Sequence, residues 1–312
     1  MTNATRTLLI IFVSLAVLTA LVRWTSGPAS SEAFRSTIAD VNTEQVNHIR
    51  IEKPTEDQVI LLKEEPSGWT VAKGDGGTAF AADSSLIKRA LENIAQLNVR
   101  AVATRDPQKF TRYKADSTGI KVSLFNGDEL LAGVIIGATQ FVSQREFNNY
   151  VRPVGEDVVY SVEGFLESTF GRDLSDWREK DVWDIARDNI TRVDFLLPAD
   201  SSYSIERADD EQNWISEGDT LNQTQIHSIL RQLSSLRANG FADSLSTSTF
   251  GTEQYAIQFQ LKEGAGKTIR LKPDDRDDTR FVAVATGYPY VFTLNRSNWE
   301  NSVLKSREEL LE

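Results

Sequence analysis

The sequence predicts an α+β fold made of two tandem repeated units, each an antiparallel sheet with a packed helix, after an N-terminal transmembrane helix. Three observations lead there. An uncharged apolar run opens the chain, residues 46–162 and 190–294 carry the same apolar blocks in the same order, and each stretch sets one helix-period segment among period-two segments.

Leu8 to Val22 reads LLIIFVSLAVLTALV, 15 uncharged residues with Arg6 before it and Arg23 and Trp24 after it. With Thr7, a snorkelling Arg23 and an interfacial Trp24 it approaches the roughly 17–20 residues that span a bilayer. The expected membrane-contacting residues are Leu8, Leu9, Ile10, Ile11, Phe12, Val13, Leu15, Ala16, Val17, Leu18, Leu21, Val22 and Trp24. A cleaved signal peptide is the alternative, but the small residues Ala29 to Ser31 lie after Gly27 and Pro28, far from the apolar run. The reading is an uncleaved anchor over residues 7–24, within a segment 1–27, placing the bulk of the chain on the periplasmic or extracytoplasmic side of a cell inner membrane. The α-amine and Arg6 orient it, and long C-terminal domains translocate largely regardless of charge.

A linker over 28–44 precedes the first unit, 45–172, in which Val46 to Lys53 alternates as a half-buried strand and Val59 to Lys63 is its antiparallel neighbour. Pro66, Ser67 and Gly68 turn the chain before Trp69. Asp83 is the expected N-cap of a helix whose apolar face is Ile87, Leu91, Ile94 and Leu97. Ile120 to Phe125, Asn126-Gly127 and Glu129 to Ile136 read as a hairpin with a type I′ turn. Tyr150 to Val154 pairs with Val158 to Val162, and Glu163 to Trp177 is a connecting helix interrupted near Gly171, with a connector over 173–188.

The second unit, 189–296, repeats this plan. Val46, Ile49, Ile51 and Pro54 reappear as Ile190, Val193, Phe195 and Pro198, each displaced by 144 positions, and Trp69 returns as Trp214 at 145. The helix face returns as Ile226, Leu230, Leu233 and Leu236 at 139, behind Asn222 as N-cap. Val122 and Leu124 match Ile257 and Phe259 at 135, and Val159, Tyr160 and Val162 match Val291, Phe292 and Leu294 at 132. Thr191 to Leu197 and Tyr203 to Arg207 are its first strands, with Asp209 to Asn213 as the turn before Trp214 and Glu263 to Gly266 as the later hairpin turn. Phe281 to Ala285 and Tyr290 to Leu294 follow, and a short helix over Asn298 to Leu311, in a segment 297–312, ends the chain.

The 312 residues suffice for two cores, and 40% hydrophobic with 25% charged residues is the composition of a folded protein. With 34 basic against 45 acidic residues the net charge is −11; Arg6 and Arg23 are the only charges in the first 25 residues, so the remainder carries −13. Such an acidic surface opposes phosphate backbones and excludes nucleic acid as a natural partner. Without cysteine there is no disulfide, thiol nucleophile or thiolate metal site.

No catalytic signature emerges. His48 and His227 are the only histidines, stand at non-equivalent places, and have no cysteine to complete a zinc site. No Gly-x-Ser-x-Gly elbow is present. Asp274, Asp275, Asp277 and Asp278 lack the glycine and glutamate that an EF-hand loop needs, and read as a solvated hairpin turn. Gly74, Gly76 and Gly77 are followed by no Gly-Lys-Ser/Thr, so no phosphate cradle is expected. Neither metal nor cofactor is expected. Trp69 and Trp214, repeated beside a turn, are read as core residues. Phe141, Phe147 and Tyr150 surround a polar stretch, Gln140 to Asn149, with no equally long counterpart in the second unit, and are the expected partner contacts.

The chain resembles the family called domain of unknown function 4340. The resemblance rests on Gly68-Trp69, Asp83, Phe110-x-x-Tyr113, Ile135-Ile136-Gly137, Tyr150-Val151-Arg152 and Val159-Tyr160. It continues through Arg178-x-Lys180, Ile190-Thr191-x-Val193, Trp214, Phe241-Ala242-Asp243 and Phe250-Gly251. The family's Tyr-Gly-Leu element stands here as Phe250-Gly251-Thr252, and in the first unit as Tyr113-Lys114-Ala115. The resemblance implies a bacterial membrane-anchored protein often associated with ABC transporter components of the gliding-motility or auxiliary type, without an established enzymatic activity. The functional expectation is therefore a non-enzymatic, extracytoplasmic scaffold or accessory subunit. An envelope receptor binding a glycan or peptide between the units is the second reading, and a hydrolase with a carboxylate site the third.

Overall fold

In a computed structural model, residues 37–39, 41–56, 58–141, 147–208 and 213–311 are described. The anchor expected over 7–24 and most of the turn at 209–213 lie outside them. Among the described residues no helix is long and apolar enough to cross a membrane. Two compact units form. The first takes the described residues up to Val59 with Lys88–Gly171, and the second takes Ile60–Ile87 with the chain from Arg172 onward.

The fold is mostly antiparallel sheet with a few helices. One nine-stranded sheet runs β4 (Phe80–Ala81), β3 (Gly68–Lys73), β2 (Gln58–Glu65), β1 (His48–Lys53), β6 (Ile120–Asn126), β7 (Glu129–Phe141), β8 (Phe147–Pro153), β9 (Val159–Val162), β5 (Val99–Thr104). The other runs β14 (Asp219–Thr220), β13 (Trp214–Ser216), β12 (Tyr203–Arg207), β11 (Ile190–Leu196), β17 (Tyr255–Leu261), β18 (Lys267–Asp274), β19 (Asp277–Ala285), β20 (Phe292–Asn295), β16 (Gly240–Phe241). The two orders match strand for strand. β10 (Asp181–Asp184) and β15 (Ser235–Arg237) make a separate pair.

The strands form where side chains alternate. In β1 the outward residues are half-buried while Ile49, Ile51 and Lys53 are buried. His48 lies on the outward side and stacks on Phe125, with ring centroids 5.0 Å apart. The helix α1 (Ser84–Ala95) starts where the Asp83 carboxylate accepts from the Leu86 N–H at 2.9 Å. It buries Ile87, Leu91 and Ile94. Two further helices, α2 (Leu166–Phe170) and α3 (Leu174–Trp177), follow β9 and are separated at Gly171 as expected. In the second half, α4 (Gln223–Ser234) is capped by Asn222, whose side chain accepts from Gln225 N–H. Its Ile226, Ile229, Leu230 and Leu233 join Val193, Phe195, Ile257 and Phe259 in one core. Each such side chain removed from water contributes about 1.5–3 kcal/mol.

Both halves close alike. Ala82 bridges Arg178 just as Leu221 bridges Leu311, and the N–H groups of the two N-cap residues, Asp83 and Asn222, donate to the Trp177 and Leu310 carbonyls at 2.9 and 2.8 Å. The structural repeat thus extends to the short helices.

Several details differ from expectation. Leu97 and Leu236 are buried but lie beyond the helices, Leu236 within β15, so the helical face ends at Ile94 and Leu233. The β6–β7 turn falls one residue later than read, because Asn126 pairs with Glu129 and leaves Gly127-Asp128 as the loop. Positive φ is confined there to Gly127 (58°), whereas type I′ needs it at both positions. The C-terminal helix is two pieces, α5 (Arg296–Ser302) and α6 (Arg307–Leu310). Ser306 and Glu309 form a capping box that starts the second piece afresh. Trp214 is 1% exposed and belongs to the core, but Trp69 is only half-buried.

Candidate functional site

The hairpin β7–β8 and its counterpart β18–β19 are where the two halves differ most. β7 has 13 residues and β18 has 8. The shorter hairpin ends at the acidic turn, where Asp274 pairs with Asp277 across Asp275 and Arg276. Arg280 Nε donates to Asp274 at 2.6 Å, and the Asp277 carboxyl is held below its usual range by hydrogen bonds from Thr279. These bonds make a hairpin end. Among the described residues no group of three or more His, Cys, Asp or Glu is arranged to hold a metal ion. His227 is exposed on α4.

The longer hairpin extends its pairing to Phe141 and Phe147 and is called the arm. Its register shifts between Ile136 and Thr139, after which Thr139 faces Asn149, Gln140 faces Asn148 and Phe141 faces Phe147. Alternation along each strand puts Thr139, Phe141, Phe147 and Asn149 on one face and Tyr150 on the other. Gly137 sits beside the shift because the Tyr113–Ala115 backbone crosses it, and an added Cβ would collide with the Tyr113 carbonyl oxygen.

Beyond β9 the chain turns at Gly164, at φ 128°, which only glycine adopts readily, and delivers Phe165 to the arm's aromatic face. Leu166 and Phe170 are buried and fix α2, so Glu167 and Ser168 present beside it. The result is a cleft of about 300 Å³ lined by Thr139, Phe141, Phe147, Asn149, Gly164, Phe165, Glu167 and Ser168. Phe147 is the middle ring, 6.2 Å from Phe141 and 4.4 Å from Phe165 between centroids. Phe141 is 76% exposed and Phe165 66%, the two most exposed large apolar side chains among the described residues.

The polar groups of the cleft largely satisfy one another. Thr139 Oγ1 lies 3.0 Å from Asn149 Oδ1 and 2.9 Å from Glu167 Oε2, Asn149 Nδ2 donates to the Gly164 carbonyl, and Ser168 Oγ donates to the Phe165 carbonyl at 3.1 Å. Asn149 is completely buried. What faces outward is aromatic surface with a carboxylate beside it.

Of the three expected contact residues, the structure brings Phe141 and Phe147 together and separates Tyr150. Tyr150 packs its ring 4.6 Å from Tyr113, in the cluster around Phe110, Ala115 and Val159. Burial first, then Tyr113, pushes its hydroxyl above the usual tyrosine range. Phe165, Glu167, Thr139 and Asn149 were not foreseen; the signal for Phe165 was a solitary aromatic directly after a glycine, at a position the repeat does not share.

A second locus explains other motif residues. In the second unit, the Arg178 guanidinium lies 3.4 Å from the ring centroid of Phe241, 3.8 Å from that of Phe80 and 4.7 Å from that of Tyr290. Nη1 donates to both Asp243 oxygens at 2.8 and 2.9 Å. Its side chain is 0% exposed, and Nε and Nη2 have no acceptor among the described residues. The aromatic faces supply the compensating electrostatics, so this is a filled structural clamp. Arg152 likewise lies 4.9 Å from the Phe110 ring centroid and donates to the Ala115 carbonyl at 2.7 Å.

A family model described as Domain of unknown function (DUF4340) matches residues 75–255. No curated protein and no solved structure matches the chain.

Proposed function

The chain belongs to the DUF4340 family, and starting there we propose that it is a non-enzymatic accessory protein, anchored in a bacterial inner membrane by residues 7–24, that holds a subunit of an ABC transporter system on the extracytoplasmic side. The observation that carries the reading is the cleft of Phe141, Phe147 and Phe165, an exposed aromatic surface at the hairpin arm that has no counterpart among the described residues of the second half. Aromatic side chains clustered on and beside a paired hairpin have the composition of a contact hot spot. The N-terminal apolar run supports the anchor, and the resemblance supports the transporter as partner.

The test is purification of the full chain from native membranes in mild detergent. Transporter subunits should accompany it and be lost from Phe141→Ser/Phe165→Ser, whose melting temperature stays close to the parent's because both rings are exposed. Retention of the partner by that variant would remove the cleft from the reading. Loss on deleting residues 1–27, with the cleft intact and the substituted protein still bound, would assign the contact to the anchor.

A further inference from the structure

We infer that the Phe141–Phe147–Phe165 cleft receives a guanidinium group, the side chain of an arginine on the partner polypeptide. This rests on the reading of the cleft as the contact surface and names the chemistry that fills it. Three features point to a cation. The walls are phenylalanine rings, which offer a negative π face and no hydrogen-bonding group of their own. The hydroxyls of Thr139 and Ser168 and the amide of Asn149 are engaged within the cleft. A neutral sugar or amide would find few donors there, while the Glu167 carboxylate at the edge is an acceptor for a donor-only, positively charged group.

The same chain shows what such a set of residues holds. Arg178 is taken up by two phenylalanines, a tyrosine and the carboxylate of Asp243. The cleft repeats this composition with three phenylalanines and Glu167. Arg100, which reaches Asn148 on β8 at 3.2 Å, is engaged by Glu163. A planar guanidinium stacks on aromatic faces and is weakly hydrated, so it is better matched to this surface than an ammonium. The overall charge of −11 favours approach of a basic segment.

The probe is n-propylguanidinium, with n-propylurea as its uncharged counterpart, titrated against the full chain in detergent micelles and read by saturation-transfer NMR. The guanidinium should bind at least about tenfold more tightly than the urea, as a desolvated cation–π site with a carboxylate requires. Glu167→Gln should reduce that binding roughly tenfold, and Phe165→Leu, which keeps apolar bulk but removes the π face, by several-fold. Equal binding of the two probes, or binding indifferent to Glu167→Gln, overturns the inference and leaves an uncharged apolar slot. Binding that appears only in Arg145→Gln also overturns it, because the cleft is then the seat of the chain's own Arg145, which lies outside the described residues. Guanidinium binding without transporter co-purification would refute the choice of partner and leave the cleft chemistry standing. Co-purification lost in the phenylalanine variants with no preference for the guanidinium would do the reverse.

Discussion

Replacing Asp243 by alanine should destabilise the second unit more than replacing its partner Arg178 by methionine, although Arg178 is the buried member of the pair. Removing one partner of a buried ion pair costs about 3–5 kcal/mol because a charge is stranded. Asp243 is 57% exposed, so solvent screens part of that, and about 2–3 kcal/mol is expected. Arg178→Met forfeits cation–π contacts worth about 2 kcal/mol, but it also abolishes the burial of Nε and Nη2 without acceptors, which costs about 1–3 kcal/mol. The net effect should stay within about 1 kcal/mol. At about 2–4 °C per kcal/mol for a unit of this size, Asp243→Ala should lower the melting temperature by roughly 4–12 °C. Adding it to Arg178→Met should change little, since no buried charge remains. Thermal unfolding of the full chain in detergent, followed by tryptophan fluorescence, reads all three variants. An Asp243→Ala effect smaller than that of Arg178→Met would refute the argument that the aromatic cage depends on its carboxylate.

The two repeated tryptophans should part company: Trp214→Ala, in the core, should cost about 3–5 kcal/mol, and Trp69→Ala, at a half-buried position, about 1 kcal/mol, with equal losses in denaturant midpoint contradicting the burial difference. Stability should also fall in alkali. Burial, reinforced by Glu309 and Glu308, pushes the Tyr203 hydroxyl far above its ordinary value of 10. A raised pKa means that its contribution is complete below pH 10 and is lost as pH rises toward the folded value. The melting temperature should therefore hold to about pH 9.5 and decline beyond it, less steeply in Tyr203→Phe; identical slopes would assign the decline elsewhere.

Much of the fold was legible because it is written twice. The displacement of 139 between the two helix faces places Asp83 and Asn222 as equivalent caps, and both caps and both apolar faces are found. In Tyr113-Lys114-Ala115 and Phe250-Gly251-Thr252 the middle residues share a left-handed backbone, which Gly251 (φ 79°) adopts more readily than Lys114 (φ 50°). What escaped was decided by tertiary context. β5, β16, β10 and β15 are short or edge strands without strong alternation, and pairing rather than pattern defines them. Asn126-Gly127 indicated a hairpin, but a register shift between Leu124 and Phe125 moved the turn by one residue.

The candidate site was half legible for a related reason. The polar insertion from Gln140 to Asn149 pointed to Phe141 and Phe147, yet strand parity assigns Tyr150 to the opposite face, and that parity depends on the shift between Ile136 and Thr139. Phe165 and Glu167 arrive from beyond β9, brought by the turn at Gly164. No local pattern links them to the arm.

Whether the cleft is the partner's seat is decided by site-specific photocrosslinking in native membranes, with the crosslinking side chain introduced in place of Phe141, of Phe165, and of Leu196, which is 43% exposed on β11, as a control. One shared crosslinked partner, a transporter subunit, is expected from positions 141 and 165 and none from 196. Silence at both cleft positions, or the same products from position 196, would contradict it.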